Sequence, residues 1–127
     1  MNVLLVEDEK LSQIVAKNLL ESINCHVDIA ESGEQALILT KSNFYDLIFI
    51  DIGLPDINGI QLSKSIRGDN KNPNQNTTII ALTAHQDDFS KKNCIGAKMN
   101  DVIVKPLTRE KCQGLVAAGV DGECSLL

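Results

Sequence analysis

Four short apolar runs in this chain each stop at a residue type that can do chemistry. Val3-Leu4-Leu5-Val6 gives way to Glu7, Asp8 and Glu9, and Leu47-Ile48-Phe49-Ile50 ends at Asp51. Thr78-Ile79-Ile80-Ala81-Leu82 ends at Thr83, and Val102-Ile103-Val104 ends at Lys105-Pro106. If the four ends converge, they form an acidic cup with one cation. Crowded carboxylates repel one another and resist ionising together. They suit a hard divalent cation, and Mg²⁺ takes a few carboxylates together with waters and a phosphate oxygen. A carboxylate beside such an ion can attack phosphorus and become an acyl phosphate. The transferred group spreads its charge over three oxygens, and Mg²⁺, the Lys105 ammonium and the Thr83 hydroxyl offer three separate counter-contacts. Taken singly, each residue has a plainer role. Glu7 to Glu9 suit a helix start, Asp51 suits a turn, Thr83 suits a cap, and Lys105-Pro106 says little. Their joint placement at strand ends carries the chemical reading.

The elements that would position them follow from periodicity. The apolar runs 3–6 and 47–50 are unbroken, as in central strands. Between them, Leu11, Ile14, Val15 and Leu19 recur at helical spacing to about residue 22. His26-Val27-Asp28-Ile29-Ala30 alternates as an edge strand does, and Ser32-Gly33-Glu34-Gln35 opens a second helix as a capping box. Gly53-Leu54-Pro55-Asp56-Ile57-Asn58-Gly59 is dense in turn formers, and Leu62 and Ile66 mark a third helix. Residues 68–77, polar and Asn-rich around Pro73, read as a surface loop serving as a spacer within the domain. A fourth helix is expected from about Asp87 to Ala97, and a last one after Thr108 with Cys112, Leu115 and Val116 on one face. The β-α unit recurs five times without an internal sequence repeat, which implies an α/β fold, a parallel sheet with helices on both faces and right-handed crossovers. Ligands of such sheets sit beyond the carboxyl ends of the strands. One domain over 1–118 is expected, with 119–127 a frayed tail.

Composition narrows the classes. The chain has 127 residues, 43 % of them apolar, only 3 % aromatic and none Trp, so its core must be aliphatic. The net charge of −5 argues against direct nucleic-acid binding, which needs a basic surface. The start reaches acidic residues too early for a signal peptide, and no apolar stretch approaches a membrane span. Cys25, Cys94, Cys112 and Cys124 lie far apart without metal-ligand spacing, so reduced thiols in a cytoplasmic protein are expected.

These motifs together resemble the receiver domain of two-component response regulators, over essentially the whole chain. The resemblance rests on Val6-Glu7-Asp8, on Ile50-Asp51-Ile52-Gly53-Leu54-Pro55-Asp56-Ile57-Asn58-Gly59, on Leu82-Thr83-Ala84 and on Val104-Lys105-Pro106. It implies a doubly wound five-stranded, flavodoxin-like sheet of order 2-1-3-4-5. It implies Asp51 as phosphoacceptor, Glu7, Asp8 and Asp51 as Mg²⁺ ligands with the Gly53 backbone carbonyl, and Lys105 as the phosphate-pairing lysine. A cis peptide at Pro106 and Thr83 as the switch hydroxyl also follow from it. The implied donor is a phosphohistidine on a histidine kinase or a histidine phosphotransfer protein, with the receiver catalysing the transfer.

One position departs from the pattern. Where many receivers carry an aromatic that reports phosphorylation, this chain has Val102, stiff at its single torsion and small. That absence, with Leu82-Thr83-Ala84-His85 and the Met99-Asn100-Asp101-Val102 approach, resembles receivers of hybrid sensor kinases and phosphorelays. Ala84 belongs to this switch region. His85 is either a solvated loop residue or one that tunes the lifetime of the phosphoryl group, and Gly53 leaves room for water near the acceptor.

Other classes stay in view. A stand-alone response regulator acting by partner binding shares every motif above. A haloacid-dehalogenase-like phosphatase would need a second acid two residues after the nucleophile, where Gly53 stands. A flavodoxin or dinucleotide domain lacks its glycine fingerprint here, and an inert receiver-like module would have no need of Asp51, Thr83 and Lys105 together.

Overall fold

The computed structural model describes residues 1–84, 92, 96–105 and 107–120. Five strands, β1 (Asn2–Val6), β2 (His26–Ala30), β3 (Leu47–Asp51), β4 (Thr78–Thr83) and β5 (Asp101–Val104), form one parallel sheet in the order β2-β1-β3-β4-β5. Between them run α1 (Lys10–Glu21), α2 (Gly33–Ser42) and α3 (Gly59–Gly68), and α4 (Arg109–Val120) follows β5. The expected fold class, strand order and edge position of β2 all hold. The helix expected over about 87–97 lies outside the described residues except at its end, as do His85, Pro106, Cys94 and the segment 121–127 with Cys124.

Successive side chains of a strand point to opposite faces, and the core divides accordingly. Leu4, Val6, Ile48, Ile50, Ile79 and Ala81 pack under α2 and α3 with Leu62 and Ile66. Val3, Leu5, Leu47, Phe49, Ile80 and Leu82 pack under α1 and α4 with Ala16, Leu20, Cys112 and Leu115. The central strands are apolar throughout because both faces are covered. Cys25 and Cys112 are free and buried. Among the described residues no helix is long and apolar enough to cross a membrane.

The helix starts follow their local chemistry with one shift. Ser32 caps α2 by accepting from the Gln35 N–H at 3.1 Å, but Gln35 Oε1 accepts from the N–H of Glu31 rather than that of Ser32. Asn58 caps α3 through the Gln61 N–H at 2.9 Å, and Thr108 Oγ1 accepts from the Lys111 N–H at the start of α4.

The expected first helix holds but turns an unforeseen face outward, and one expectation needs correction. The apolar spacing in α1 does mark a helix, but Gln13, Ala16 and Leu20 form its buried face. Leu11, Ile14 and Val15 stand out from the protein at 68, 57 and 44 % exposure. Residues 69–77 are also more than a surface spacer. Asn74 is fully buried: its Oδ1 accepts from the Tyr45 N–H at 2.8 Å, and its Nδ2 donates to the Thr40 and Asn43 carbonyls at 2.7 Å each. Asn72 donates to Thr40 Oγ1 and Thr77 Oγ1 to the Tyr45 carbonyl. The segment is a polar clamp joining the end of α2 to the amino ends of β3 and β4. On its flank, Arg67 donates to the Lys98 and Gln75 carbonyls and to Asn100 Oδ1.

Candidate functional site

The parallel register levels the strand tips. Val6 lies opposite Ile50 and Ala30, Asp51 opposite Leu82, and Thr83 opposite Val104. The strand pleat then aims the side chains. Glu7 continues the series Val3, Leu5, and Asp51 continues Leu47, Phe49, so both carboxylates rise on the same side of the sheet, above α1. Backbone bonds hold the tips. The Glu7 N–H donates to the Ala30 carbonyl at 2.9 Å, Ile52 to Leu82 at 3.0 Å and Lys105 to Thr83 at 2.8 Å.

At this crest Glu7, Asp8 and Asp51 can each offer one carboxylate oxygen, all within 4.8 Å of one another. Glu7 and Asp51 are buried, and Asp8 lies at the mouth. Lys105 Nζ donates to Glu7 Oε1 at 2.5 Å and to Asp51 Oδ2 at 3.0 Å. The Gly53 N–H donates to Asp51 Oδ1 at 2.9 Å. Four of the residues singled out from the sequence are thus in one pocket, with Gly53 beside them. Thr83 closes β4 next to it, buried like Asp51, and Ala84 is exposed. Val102 sits in β5, packed against the α2/α3 side of the core rather than in the carboxylate cluster.

The electrostatics show what the cluster lacks. Burial, together with the Asp51 carboxylate beside it, pushes the Glu7 carboxyl up to about 7 despite the Lys105 ammonium. Burial alone would raise Asp51 too, but hydrogen bonds from Glu7, the Gly53 N–H and Lys105 outweigh it, and its carboxyl titrates below the ordinary range. Lys105, desolvated yet facing both acids, is held above the usual lysine value. The two shifts run apart, so in the metal-free pocket Glu7 is the carboxyl that takes up a proton and Asp51 the one that stays ionised. Three oxygen donors with one ammonium among them are a fitting donor set for a hard divalent cation, which would relieve this crowding.

Two supporting residues escaped the sequence reading. Gln13, buried in α1, donates from Nε2 to the Glu7 carbonyl at 2.7 Å and so fixes the turn that carries Glu7 and Asp8. Its only signal was a polar residue where α1 meets the sheet. Gly59, first in α3, has no room for a side chain: a Cβ there would stand 2.6 Å from the Asp51 carbonyl and 2.7 Å from Ile50 Cγ2. The glycine lets α3 start directly under the Asp51 peptide.

Comparison with known proteins agrees with this arrangement. The response regulator receiver domain family matches residues 3–117. The chain belongs to this family. As a receiver it is 40 % identical over 111 residues to the aerobic respiration control sensor protein ArcB of Escherichia coli, covering 85 % of this chain and 14 % of ArcB. It is 35 % identical over 117 residues to the signal transduction histidine-protein kinase BarA of the same organism, covering 91 % of this chain and 12 % of BarA. The chain thus spans about one seventh or less of these kinases. Among solved structures, the receiver domain of a sensor histidine kinase of Pseudomonas aeruginosa superposes with a TM-score of 0.85 at 32 % identity, covering 94 % of this chain and 97 % of that one. That structure carries a magnesium ion coordinated in its active site cleft. Receivers interact with histidine kinases or phosphotransfer proteins and typically bind Mg²⁺ in the acidic pocket, where this receiver has Glu7, Asp8 and Asp51.

Proposed function

We propose that this receiver, over residues 1–118, accepts a phosphoryl group on Asp51 from a phosphohistidine of a histidine kinase or phosphotransfer protein. The reading places it as the receiver of a hybrid sensor histidine kinase acting in the cytoplasm. The observation that carries it is the contact of Lys105 Nζ with both Glu7 and Asp51 beside an otherwise all-carboxylate cluster. One Asp51 oxygen attacks phosphorus, the P–N bond to the donor imidazole breaks, and the nitrogen leaves with the electron pair. The product is a mixed carboxylic–phosphoric anhydride on Asp51. Glu7, Asp8, Asp51 and the Gly53 carbonyl would hold Mg²⁺, which would neutralise charge on the phosphoryl oxygens. Lys105 holds an ammonium beside the attacking carboxylate, placed to pair with the phosphoryl oxygens that carry the charge during transfer. Thr83, at the adjoining strand tip, offers its hydroxyl as the switch group.

The donor's approach is supported by the outward apolar face of α1. Leu11 and Val15, with Leu107 across from them, line a cleft of about 220 Å³ that also reaches Glu7 and Lys105. An apolar helix face docking there would bring an imidazole to Asp51 and exclude water.

The test is labelling by acetyl phosphate, with Mg²⁺ and with chelator, read by intact mass. One phosphoryl group per chain, dependent on Mg²⁺ and lost in Asp51→Asn, is expected. Full labelling of Asp51→Asn would refute the assignment.

A further inference from the structure

The loop between β3 and α3 carries Gly53 and begins at Asp51, so its rigidity bears on everything at the pocket. Its ends are secured by its own backbone: Ile52 bonds to Leu82 on one side and to Gly59 on the other. Its middle is fixed differently. Asp56 reaches 23 residues back along the chain and places Oδ1 at 2.9 Å from the Gly33 N–H and Oδ2 at 2.9 Å from the Glu34 N–H. These are two of the open donors in the first turn of α2, where a carboxylate is also favoured by the helix dipole. The two N–H groups hold the Asp56 carboxyl below its ordinary range. Gly33 makes the close approach feasible, since a Cβ there would stand 2.9 Å from Ile57 Cγ1 and 3.4 Å from Asp56 Oδ1. The helix has a cap of its own in Ser32, whose hydroxyl takes the third N–H, that of Gln35. The Asp56 bonds therefore serve the loop as much as the helix.

We propose that Asp56 is a positioning residue that latches the acceptor loop to the N-terminus of α2 and so pre-sets Gly53 for cation binding beside Asp51. It touches neither the cation nor the phosphoryl group. It acts through the loop, as partners behind metal ligands do. The inference rests on the reading of Asp51, Asp8 and Glu7 as the cation site.

The two roles of Asp56, holding a loop and capping a helix, separate experimentally. Ser32→Ala removes a cap from the same helix turn and leaves the latch in place. Mg²⁺ affinity is measured by calorimetry on the wild type, Asp56→Ala, Asp56→Asn and Ser32→Ala, each below its own melting transition. Asp56→Ala is expected to weaken Mg²⁺ by roughly tenfold, the low end of the loss that follows removal of support behind a ligand. Asp56→Asn, which keeps one acceptor oxygen, should fall between it and the wild type. Ser32→Ala should lower the melting temperature and bind Mg²⁺ as the wild type does. Unchanged affinity in Asp56→Ala would overturn the latch while leaving the site standing. So would an equal loss in Ser32→Ala. A wild type that binds no Mg²⁺ would strike the site itself and the latch with it.

Discussion

Raising the proton concentration should compete Mg²⁺ out of this receiver through Glu7, and the size of the effect can be worked from its environment. Cation binding needs the Glu7 carboxylate ionised, and that carboxyl titrates at about 7 in the metal-free pocket. A competing proton lowers apparent affinity by a factor of one plus ten to the power of pKa minus pH. That factor is about 1.1 at pH 8, about 2 at pH 7 and about 11 at pH 6. Between pH 8 and pH 6 the affinity should therefore fall roughly tenfold, about 1.4 kcal/mol. A carboxyl at an ordinary pKa would leave it almost flat. Calorimetry in two buffers of different ionisation enthalpy counts the protons, with about 0.5 released per Mg²⁺ expected at pH 7. Stability should mirror this. Because the folded pKa of Glu7 is raised, its contribution to metal-free stability is full below the unfolded pKa and is lost as pH rises through about 7. Asp51, with a lowered pKa, contributes in the opposite sense, above its ordinary value. The rise in melting temperature on adding Mg²⁺ should accordingly be larger at pH 8 than at pH 6. An affinity flat from pH 6 to pH 8, with no proton released, would show that Glu7 is already ionised across this range and would refute the reasoning.

Two further outcomes follow from the fold. Asn74→Ala leaves the Tyr45 N–H and the Thr40 carbonyl without their buried partner, which should cost about 2–4 kcal/mol. Urea unfolding with an unchanged m-value reads it, and a loss below about 1 kcal/mol would mean that water or relaxation replaces the clamp. Leu11→Ala, on the exposed face of α1, should leave acetyl phosphate labelling and stability unchanged. It should slow transfer from a phosphohistidine donor about tenfold, the scale of an interface anchor. Equal transfer rates would move the donor's docking elsewhere.

The strands and their tips were legible because burial on both faces demands unbroken aliphatic runs, and a polar residue ending such a run stands out. Glu7, Asp8, Asp51 and Lys105 could be placed together from order alone, since a parallel sheet sends every carboxyl end to one edge. The facing of α1 was not legible. Periodicity reveals a helix, but Leu11, Ile14 and Val15 obey it as well as Ala16 and Leu20 do. Only the packed sheet shows which stripe is covered. Asn72 and Asn74 misled for a related reason. Asparagine suits solvated turns, and nothing local shows that its amide will be matched by carbonyls some thirty residues away. Asp56 looked like one more turn former until Gly33 and Glu34 came into position behind it.

The polar cross-links are distributed unevenly between the two ends of the sheet. At the amino ends, side-chain amides and Arg67 stitch neighbouring segments together with neutral or fixed bonds. At the carboxyl ends, a lysine shared between two acids does the corresponding work, and on the proposed function an arriving phosphoryl group would draw it away from them. One rim of the molecule behaves as a hinge plate and the other as a keyboard. Substitutions along the first should alter how long the fold survives, and those along the second should alter what it transmits, so the two properties can diverge independently as such a domain is reused.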